Sequence, residues 1–151
     1  MPPTRNGGEP ALNSQEHITS YFKHLSELFE RLDVDAIVRF IDLLDDTRQR
    51  NRTVFLAGNG GSAATCSHFA NDLTKGVRSD SSGGFKAISL ADNVALVTAL
   101  ANDDGYETIF TGQMRNLFAE GDLLVAISAS GNSPNVVAAA KLAHELGGQV
   151  A

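Results

Sequence analysis

Two short turns in this sequence combine glycine, asparagine and serine in a way that could bind an anion. The first covers residues 58–62 and the second covers residues 128–133, and each follows an apolar run. Glycines let a backbone approach a ligand closely, and the free amides at the start of a following helix attract phosphate, helped by the helix dipole. Because the two turns match in composition and in place, the sequence predicts that they share one phosphate-bearing ligand.

His68 and Asp72 form a second candidate pair, because they lie four residues apart on the predicted helix after the first turn. They share one flank, whereas the apolar stripe that includes Cys66 and Leu73 lies roughly 120° away. A histidine and a carboxylate at this spacing could ligate a metal ion or transfer a proton. The alternative is a solvent-exposed helix face with a weak hydrogen bond, and the spacing alone leaves both open.

The first turn also matches a dinucleotide fingerprint through Gly58, Gly60 and Ala63, with Asp92 as the ribose-binding acid. This match is weak, because it leaves the second turn unexplained and Asp92 lies beyond the usual spacing of about 20 residues. A P-loop is excluded, since no Gly-Lys-Ser/Thr follows the glycines. We therefore expect no nucleotide cofactor.

A plain strand-to-helix connection is a further interpretation of both turns. Ser62 would then be a helix cap, and Ser133 before Pro134 would be a cap followed by proline at the first helical position. Ser128 and Ser130 have no explanation of this kind, because they follow a strand that is otherwise fully apolar. Both turns being merely structural is less plausible than either one alone.

Apolar periodicity predicts the elements that position these residues. The predicted strands cover residues 53–57, 85–90 and 123–128, with a further strand starting at 149, and the predicted helices between them cover residues 62–75, 93–101, 106–118 and 134–146. Such alternation indicates an α/β fold, a three-layer sandwich whose parallel sheet binds ligands at the carboxyl ends of its strands. The polar residues predicted at that edge are Asn59, Ser62, Asp92, Ser128, Ser130 and Ser133.

Two amphipathic helices precede the sheet, and Asp33 is the predicted N-cap of the second. Their apolar stripes, Ile18 to Phe29 and Val34 to Leu44, lie outside the strand–helix alternation and need a partner. We expect that partner to be another subunit.

Composition excludes several classes of protein. The 151 residues carry a formal charge of −6 without a cluster of lysine or arginine, which argues against a nucleic-acid partner. No apolar run approaches the roughly 20 residues that span a bilayer, and residues 1–12 resemble neither a signal nor a transit peptide. With Cys66 as the single cysteine, and most simply a small core residue, we expect a cytoplasmic protein without a membrane partner.

The two ends of the sequence carry expectations of their own. Residues 1–13 are rich in proline, glycine and asparagine, so we expect them to be disordered and the domain to cover residues 14–151. Gly147 and Gly148 end the last helix, and residues 149–151 start another strand. We therefore expect the domain to lack its C-terminal strand–helix part.

Five motifs in order resemble the sugar isomerase (SIS) domain, and within it the sedoheptulose 7-phosphate isomerases. They are residues 58–63, 68–73, 91–92, 101–103 and 128–133. The resemblance implies a flavodoxin-like fold, a homotetramer that the leading helices help to build, and sites between subunits. It also implies that a sugar phosphate is the ligand.

The same resemblance implies roles for individual residues. Ser62, Ser128, Ser130 and Ser133 would hold the phosphate, beside the turn residues Gly60, Gly61 and Ala129, while Asn59 and Asp92 would contact the sugar hydroxyls. The implied reaction is an aldose–ketose shift through an enediol, which needs a group that carries a proton between neighbouring carbons. Asp72 would be that catalytic residue.

Two departures from the family pattern concern this chemistry. The family has a glutamate where this chain has Asp72, and its distal histidine would lie beyond residue 151. Aspartate is one methylene shorter, and proton transfer depends steeply on position. Some family members bind zinc, for which His68 and Asp72 would supply two ligands.

Two classes of function follow from the resemblance. One is a phosphosugar isomerase that feeds heptose synthesis for lipopolysaccharide. The other is a non-catalytic SIS protein that binds phosphosugars or partner proteins, as the replication-initiator-associating relatives do. A histidine-bearing helix after residue 151 would favour the enzyme.

Overall fold

The computed structural model describes residues 13–77 and 83–151. Its helices are α1 Ser14–Glu30, α2 Val34–Gln49, α3 Gly61–Asn71, α4 Val94–Asp103, α5 Thr111–Leu117 and α6 Pro134–Glu145. Its strands are β1 Thr53–Gly58, β2 Lys86–Ser89, β3 Leu123–Ile127 and β4 Gln149–Val150. A π-helical segment covers Asp72–Gly76, and a 3-10 turn covers Tyr106–Thr108.

The four strands form one parallel sheet in the order β2-β1-β3-β4. Gly58 at the end of β1 pairs with Ile127 at the end of β3, so the two polar turns leave the sheet side by side. This arrangement confirms the predicted α/β fold and the prediction that the two turns lie at neighbouring strand ends.

Helices cover both faces of this sheet because the strand residues alternate between two cores. Val54 and Leu56 of β1 pack with α2, α3 and Cys66, which is fully buried as a core residue. Phe55 and Ala57 pack on the opposite face with α4, α5 and α6. Two buried layers of this kind fix the carboxyl ends of the strands as one rigid edge.

Two predicted helices differ from the observed ones, and both differences come from hydrogen bonds. The predicted helix 106–118 is a 3-10 turn followed by the shorter α5, because the Thr108 hydroxyl donates to the Gly105 carbonyl at 2.7 Å and closes a local turn. The predicted helix 62–75 loses its α geometry after Asn71. There the Leu73 carbonyl accepts from the Phe85 amide at 2.9 Å, and Val77 donates instead to Asp72, five residues back.

The chain divides into a unit that ends at Val38 and a unit from Arg39 to Ala151. In the first unit, Asp33 caps α2 by accepting from the Ala36 amide, as predicted. Asn13, which was placed in the predicted disordered segment, caps α1 by accepting from the Gln15 amide. The predicted disordered segment otherwise lies outside the described residues. Within the described parts of the chain, no helix is long and apolar enough to cross a membrane.

Candidate functional site

The turn between β1 and α3 is shaped by two glycines. Gly58 has no room for a side chain, because a Cβ there would lie 2.9 Å from Cβ of Ser62. Gly60 has a φ of +54°, which favours glycine, and α3 begins after it without a side-chain cap. The amides of Ser62 and Ala63 donate to the Asn59 carbonyl, so an anion at this helix start would be bound by the amides of Gly60 and Gly61 and by the hydroxyl of the half-buried Ser62.

The turn between β3 and α6 gathers three serine hydroxyls. Oγ of Ser128 lies 3.4 Å from Oγ of Ser130 and 3.1 Å from Oγ of Ser133. Ser133 occupies the N-cap position of α6, yet its side chain makes no capping hydrogen bond. The cap-and-proline interpretation therefore does not account for its hydroxyl. Hydroxyls converging on one point beside a helix start suit the oxygens of a phosphate.

A pair of amide side chains joins the two turns. Nδ2 of Asn59 donates to Oδ1 of Asn135 at 2.9 Å, and Nδ2 of Asn135 donates back to Oδ1 of Asn59 at 2.8 Å. The Tyr106 hydroxyl also donates to Oδ1 of Asn59, at 3.1 Å. Residues from the turn after β1, from α6 and from the 3-10 turn thus meet at one junction.

Sequence reasoning missed both Asn135 and Tyr106. Asn135 was not singled out because Ser133 and Pro134 are enough to explain the start of the helix. Tyr106 fell inside a predicted helix, where its hydroxyl had no evident partner. The local signal that could have found Asn135 is its place two residues after Ser133, at the start of the helix that follows the second turn.

A cleft of about 200 Å³ lies between the turns. It is lined by Asn59, Tyr106, Glu107, Ser133, Pro134 and Asn135. The structure therefore brings Asn59 of the first turn and Ser133 of the second to one cleft, whereas Ser62, Ser128 and Ser130 are not among its lining residues.

Asp92 belongs to a different cavity, although it follows the neighbouring strand β2. Its carboxylate accepts a hydrogen bond from the Ser67 hydroxyl of α3. The cavity it lines, with Ser67, Asn71 and Ser89, measures about 510 Å³ and runs along β2. The structure thus places Asp92 at the predicted edge of the sheet but not in the cleft between the turns.

His68 and Asp72 lie on one exposed flank, as the spacing predicted. Nε2 of His68 is 3.5 Å from Oδ2 of Asp72, and their side chains are 79% and 54% exposed. Asp72 is the first residue of the π-helical segment, so its backbone is fixed by the bond from Val77. No cluster of three or more histidine, cysteine or acidic residues that could hold a metal ion occurs among residues 13–77 and 83–151.

Cys66 lies on the buried face of the same helix. Burial, and then the nearby negative charge of Asp92, raises the pKa of this thiol to about 11. The thiol is therefore protonated at neutral pH, and it is a core side chain and not a nucleophile.

Comparison with known proteins agrees with these features. The family model described as the SIS domain matches residues 20–151. The phosphoheptose isomerase of Aliarcobacter butzleri is 37% identical over 136 residues, which are 90% of this chain and 67% of that protein. The phosphoheptose isomerase of Geobacter sulfurreducens is 38% identical over 125 residues, or 83% of this chain and 66% of that protein. The chain thus spans about two thirds of the length of these relatives.

Solved structures show the same likeness in the fold. The phosphoheptose isomerase GmhA from Neisseria gonorrhoeae superposes with a TM-score of 0.82 and 33% identity, over 91% of this chain and 73% of that one. A phosphoheptose isomerase from Francisella tularensis gives a TM-score of 0.83 and 30% identity, over 92% of this chain and 74% of that one. The chain therefore belongs to the SIS domain family, and in both sequence and fold it is similar to the phosphoheptose isomerases.

Proposed function

We propose that this chain forms the phosphosugar-binding part of a phosphoheptose isomerase, which converts sedoheptulose 7-phosphate to a heptose 7-phosphate. The observation that carries the proposal is the cluster of three serine hydroxyls at the end of β3, joined to the glycine turn of β1. The similar proteins of Aliarcobacter butzleri and Geobacter sulfurreducens are phosphoheptose isomerases. The product would feed heptose synthesis for lipopolysaccharide.

The phosphate is held without a cationic side chain from the turns. In this proposal Ser62, Ser128, Ser130 and Ser133 supply hydroxyls, and the backbone amides of Gly60, Gly61 and Ala129 contribute further hydrogen bonds. The positive ends of the α3 and α6 dipoles add to this attraction. Asn59 then contacts hydroxyls of the sugar, and Asp92, which lines the neighbouring cavity, would contact the part of the sugar that extends beyond the cleft.

Asp72 carries the proton in the isomerisation. A carboxylate removes a proton from the carbon next to the carbonyl, which gives an enediol, and a proton is then delivered to the neighbouring carbon. The hydroxyl and carbonyl oxygens exchange roles, so no oxidant or reductant is consumed. Asp72 suits this task because its carboxylate is accessible and lies next to His68, which can orient it.

A zinc ion is a further part of the proposal. Imidazole nitrogen and carboxylate oxygen are both ordinary zinc ligands, and His68 and Asp72 are close enough to bind one ion together. Two ligands are fewer than the three or four that zinc sites use, so the remainder must come from outside these two residues. When bound, zinc would polarise the substrate carbonyl as a Lewis acid.

The assembly we propose is a homotetramer in the cytoplasm, with sites between subunits. Support for the assembly comes from the exposed apolar side chains of α1 and α2. The cytoplasmic location is supported by the single, buried and unpaired cysteine, which suits a reducing compartment.

One observation favours a second candidate, a non-catalytic SIS protein that binds phosphosugars. Asp72 is more than half exposed, whereas catalytic carboxylates usually work in sites that exclude water. Turnover separates the two candidates, because only the isomerase converts the sugar that both bind.

The phosphate site is tested by Ser130→Ala. Removing a hydrogen bond to a charged group usually costs about 1.5–3 kcal/mol, so sedoheptulose 7-phosphate should bind at least about tenfold more weakly by calorimetry. Thr98→Ala removes an exposed hydroxyl from α4, which only bonds to its own helix, and should leave the affinity unchanged. Equal affinity for Ser130→Ala and the unmodified protein would refute this site.

A further inference from the structure

We infer that Asn135 and Tyr106 are positioning residues, which hold the two phosphate-binding turns at the separation that the ligand requires. The inference rests on the proposed function of those turns. It concerns the hydrogen-bonded junction of Asn59, Asn135 and Tyr106, which we call the amide bridge.

At the centre of the amide bridge, the Asn135 side chain is buried, and both its oxygen and its nitrogen make hydrogen bonds. Asn135 is 2% exposed, and its Oδ1 accepts both from Asn59 and from the Val136 amide, the latter at 3.0 Å. The Val136 bond fixes which end of the Asn135 side chain is the oxygen, and this in turn fixes the orientation of Asn59. Rotation of either amide would break the Asn59–Asn135 hydrogen bonds and leave polar atoms of the buried Asn135 unpaired, which favours one geometry of the junction.

The two asparagines of the amide bridge are each connected to a helix start. The backbone carbonyl of Asn59 accepts from the amides of Ser62 and Ala63 at 2.9 and 3.3 Å, so its main chain begins α3 while its side chain contacts α6. Asn135 lies in the first turn of α6, two residues after Ser133. A shift of the bridge therefore moves the glycine turn relative to the serine hydroxyls.

Tyr106 supplies a third anchor from the 3-10 turn. Its hydroxyl bonds to Asn59, although more than half of its surface is exposed. The residue lines the 200 Å³ cleft with Ser133, and it also lines a second cavity, of about 150 Å³, with Gly58 and Gly60. Tyr106 thus lies between the two turns and touches the cavities of both.

A structural role alone does not predict this arrangement. A hydrogen-bonded pair of amides such as the half-buried Asn59 and the buried Asn135 can often be replaced by apolar groups of similar shape at little cost in stability, so packing gives no reason for polar side chains at this point. A positioning role does explain the polar side chains. A hydrogen-bonded pair holds the two turns in one geometry, and misplacing ligand-binding groups by about 1 Å can greatly lower affinity or rate.

The test compares Asn135→Leu and Tyr106→Phe with the control Gln113→Met. Gln113 is also a buried amide, and it donates two hydrogen bonds, to the Leu90 and Ile109 carbonyls, away from the bridge. Inorganic phosphate is titrated into each protein by calorimetry, at a temperature where circular dichroism shows it folded. We expect phosphate to bind about tenfold more weakly to Asn135→Leu and about threefold more weakly to Tyr106→Phe, with Gln113→Met changed by less than about twofold.

Hydrogen exchange of the free proteins provides a readout that needs no ligand. Residues 58–64 and 128–137 should both exchange faster in Asn135→Leu and in Tyr106→Phe, and not in Gln113→Met. Unchanged phosphate affinity in folded Asn135→Leu, or an equal loss in Gln113→Met, would overturn the inference. If Asn135→Leu does not fold, an unchanged affinity in Tyr106→Phe overturns it. If the unmodified protein binds no phosphate, the proposed function fails, while unchanged exchange in both turns would reject the bridge itself.

Discussion

Asp72 is the residue that we propose carries the proton transfer. Its carboxylate begins the π-helical segment and lies 3.5 Å from His68, so its direction is set by backbone that residues 84 and 85 hold in place. The resemblance to the SIS isomerases places a glutamate at this position. Aspartate is one methylene shorter than glutamate, so for Asp72 to act in catalysis the substrate must lie closer to the backbone at this position.

Asp72→Asn should abolish turnover of sedoheptulose 7-phosphate and leave its binding nearly intact. The amide keeps the shape but cannot accept a proton, and it takes no part in holding the phosphate. A coupled assay for the aldose product, with calorimetry for binding, measures the two effects separately.

Asp72→Glu is the matched variant, because it keeps the charge and adds one methylene. It should preserve or raise activity in an isomerase. Zinc analysis of the same preparations, purified without chelator, then reports whether the metal depends on this carboxylate. Binding without turnover in the unmodified protein and in Asp72→Glu alike would favour the non-catalytic candidate.

How many of the candidate site residues could be predicted from the sequence depends on where their hydrogen-bond partners lie in the chain. Ser128, Ser130 and Ser133 were recognisable because hydroxyls follow an apolar strand, a purely local signal. Asn135 was not, since its partner Asn59 is 76 positions away in the sequence. Asp92 was predicted at the correct edge, yet which cavity it lines is decided by Ser67 and by the side chains along β2.

At the scale of elements, the π-helical segment connects α3 to the sheet. The Leu73 carbonyl accepts from Phe85, and Gly84 approaches so closely that a Cβ there would lie 2.1 Å from the Thr74 carbonyl oxygen. Backbone atoms cannot move aside as a flexible side chain can. Gly84 is therefore required for the geometry that carries Asp72.

Gly84→Ala should destabilise the protein by about 1–3 kcal/mol, the usual cost of forcing extra volume into a packed site. Thermal unfolding followed by circular dichroism measures the change. Gly83→Ala is the matched control, because no described atom lies within 4 Å of the Cβ it would add. Equal melting temperatures for the two variants would show that the backbone around Gly84 accommodates a Cβ without loss of stability.

The same contacts explain which elements could be predicted. The strands β1 and β3 were predicted to within a residue, since their apolar runs are continuous and both faces are buried. The π-helical segment and the 3-10 turn could not be predicted, because helical periodicity continues through residues 72–76 and 106–108. The α-helix is interrupted in these segments by hydrogen bonds from Phe85 to Leu73 and from Thr108 to Gly105. The donor Phe85 lies outside the predicted helix, so the helical pattern does not reveal it.

At the scale of the molecule, the feature that bears on assembly is the apolar stripe of α1. None of the 17 residues of α1 is buried. A helix of this length is marginal in water unless an apolar face packs against something. Its exposed large apolar side chains are Ile18, Tyr21, Phe22, Leu28 and Phe29.

Phe22→Glu should therefore disrupt the homotetramer that we propose. Phe22 is 60% exposed, and a carboxylate placed in an apolar interface would have to be desolvated without a partner. Light scattering at micromolar concentration should show a tetramer for the unmodified protein and smaller species for the variant. Lys23→Glu places the same carboxylate on the next residue, whose side chain is 80% exposed in a long ion pair with Glu27 at 3.9 Å, and should leave the assembly intact. A monomeric unmodified protein, or equal dissociation by both variants, would contradict an interface built on the apolar stripe of α1.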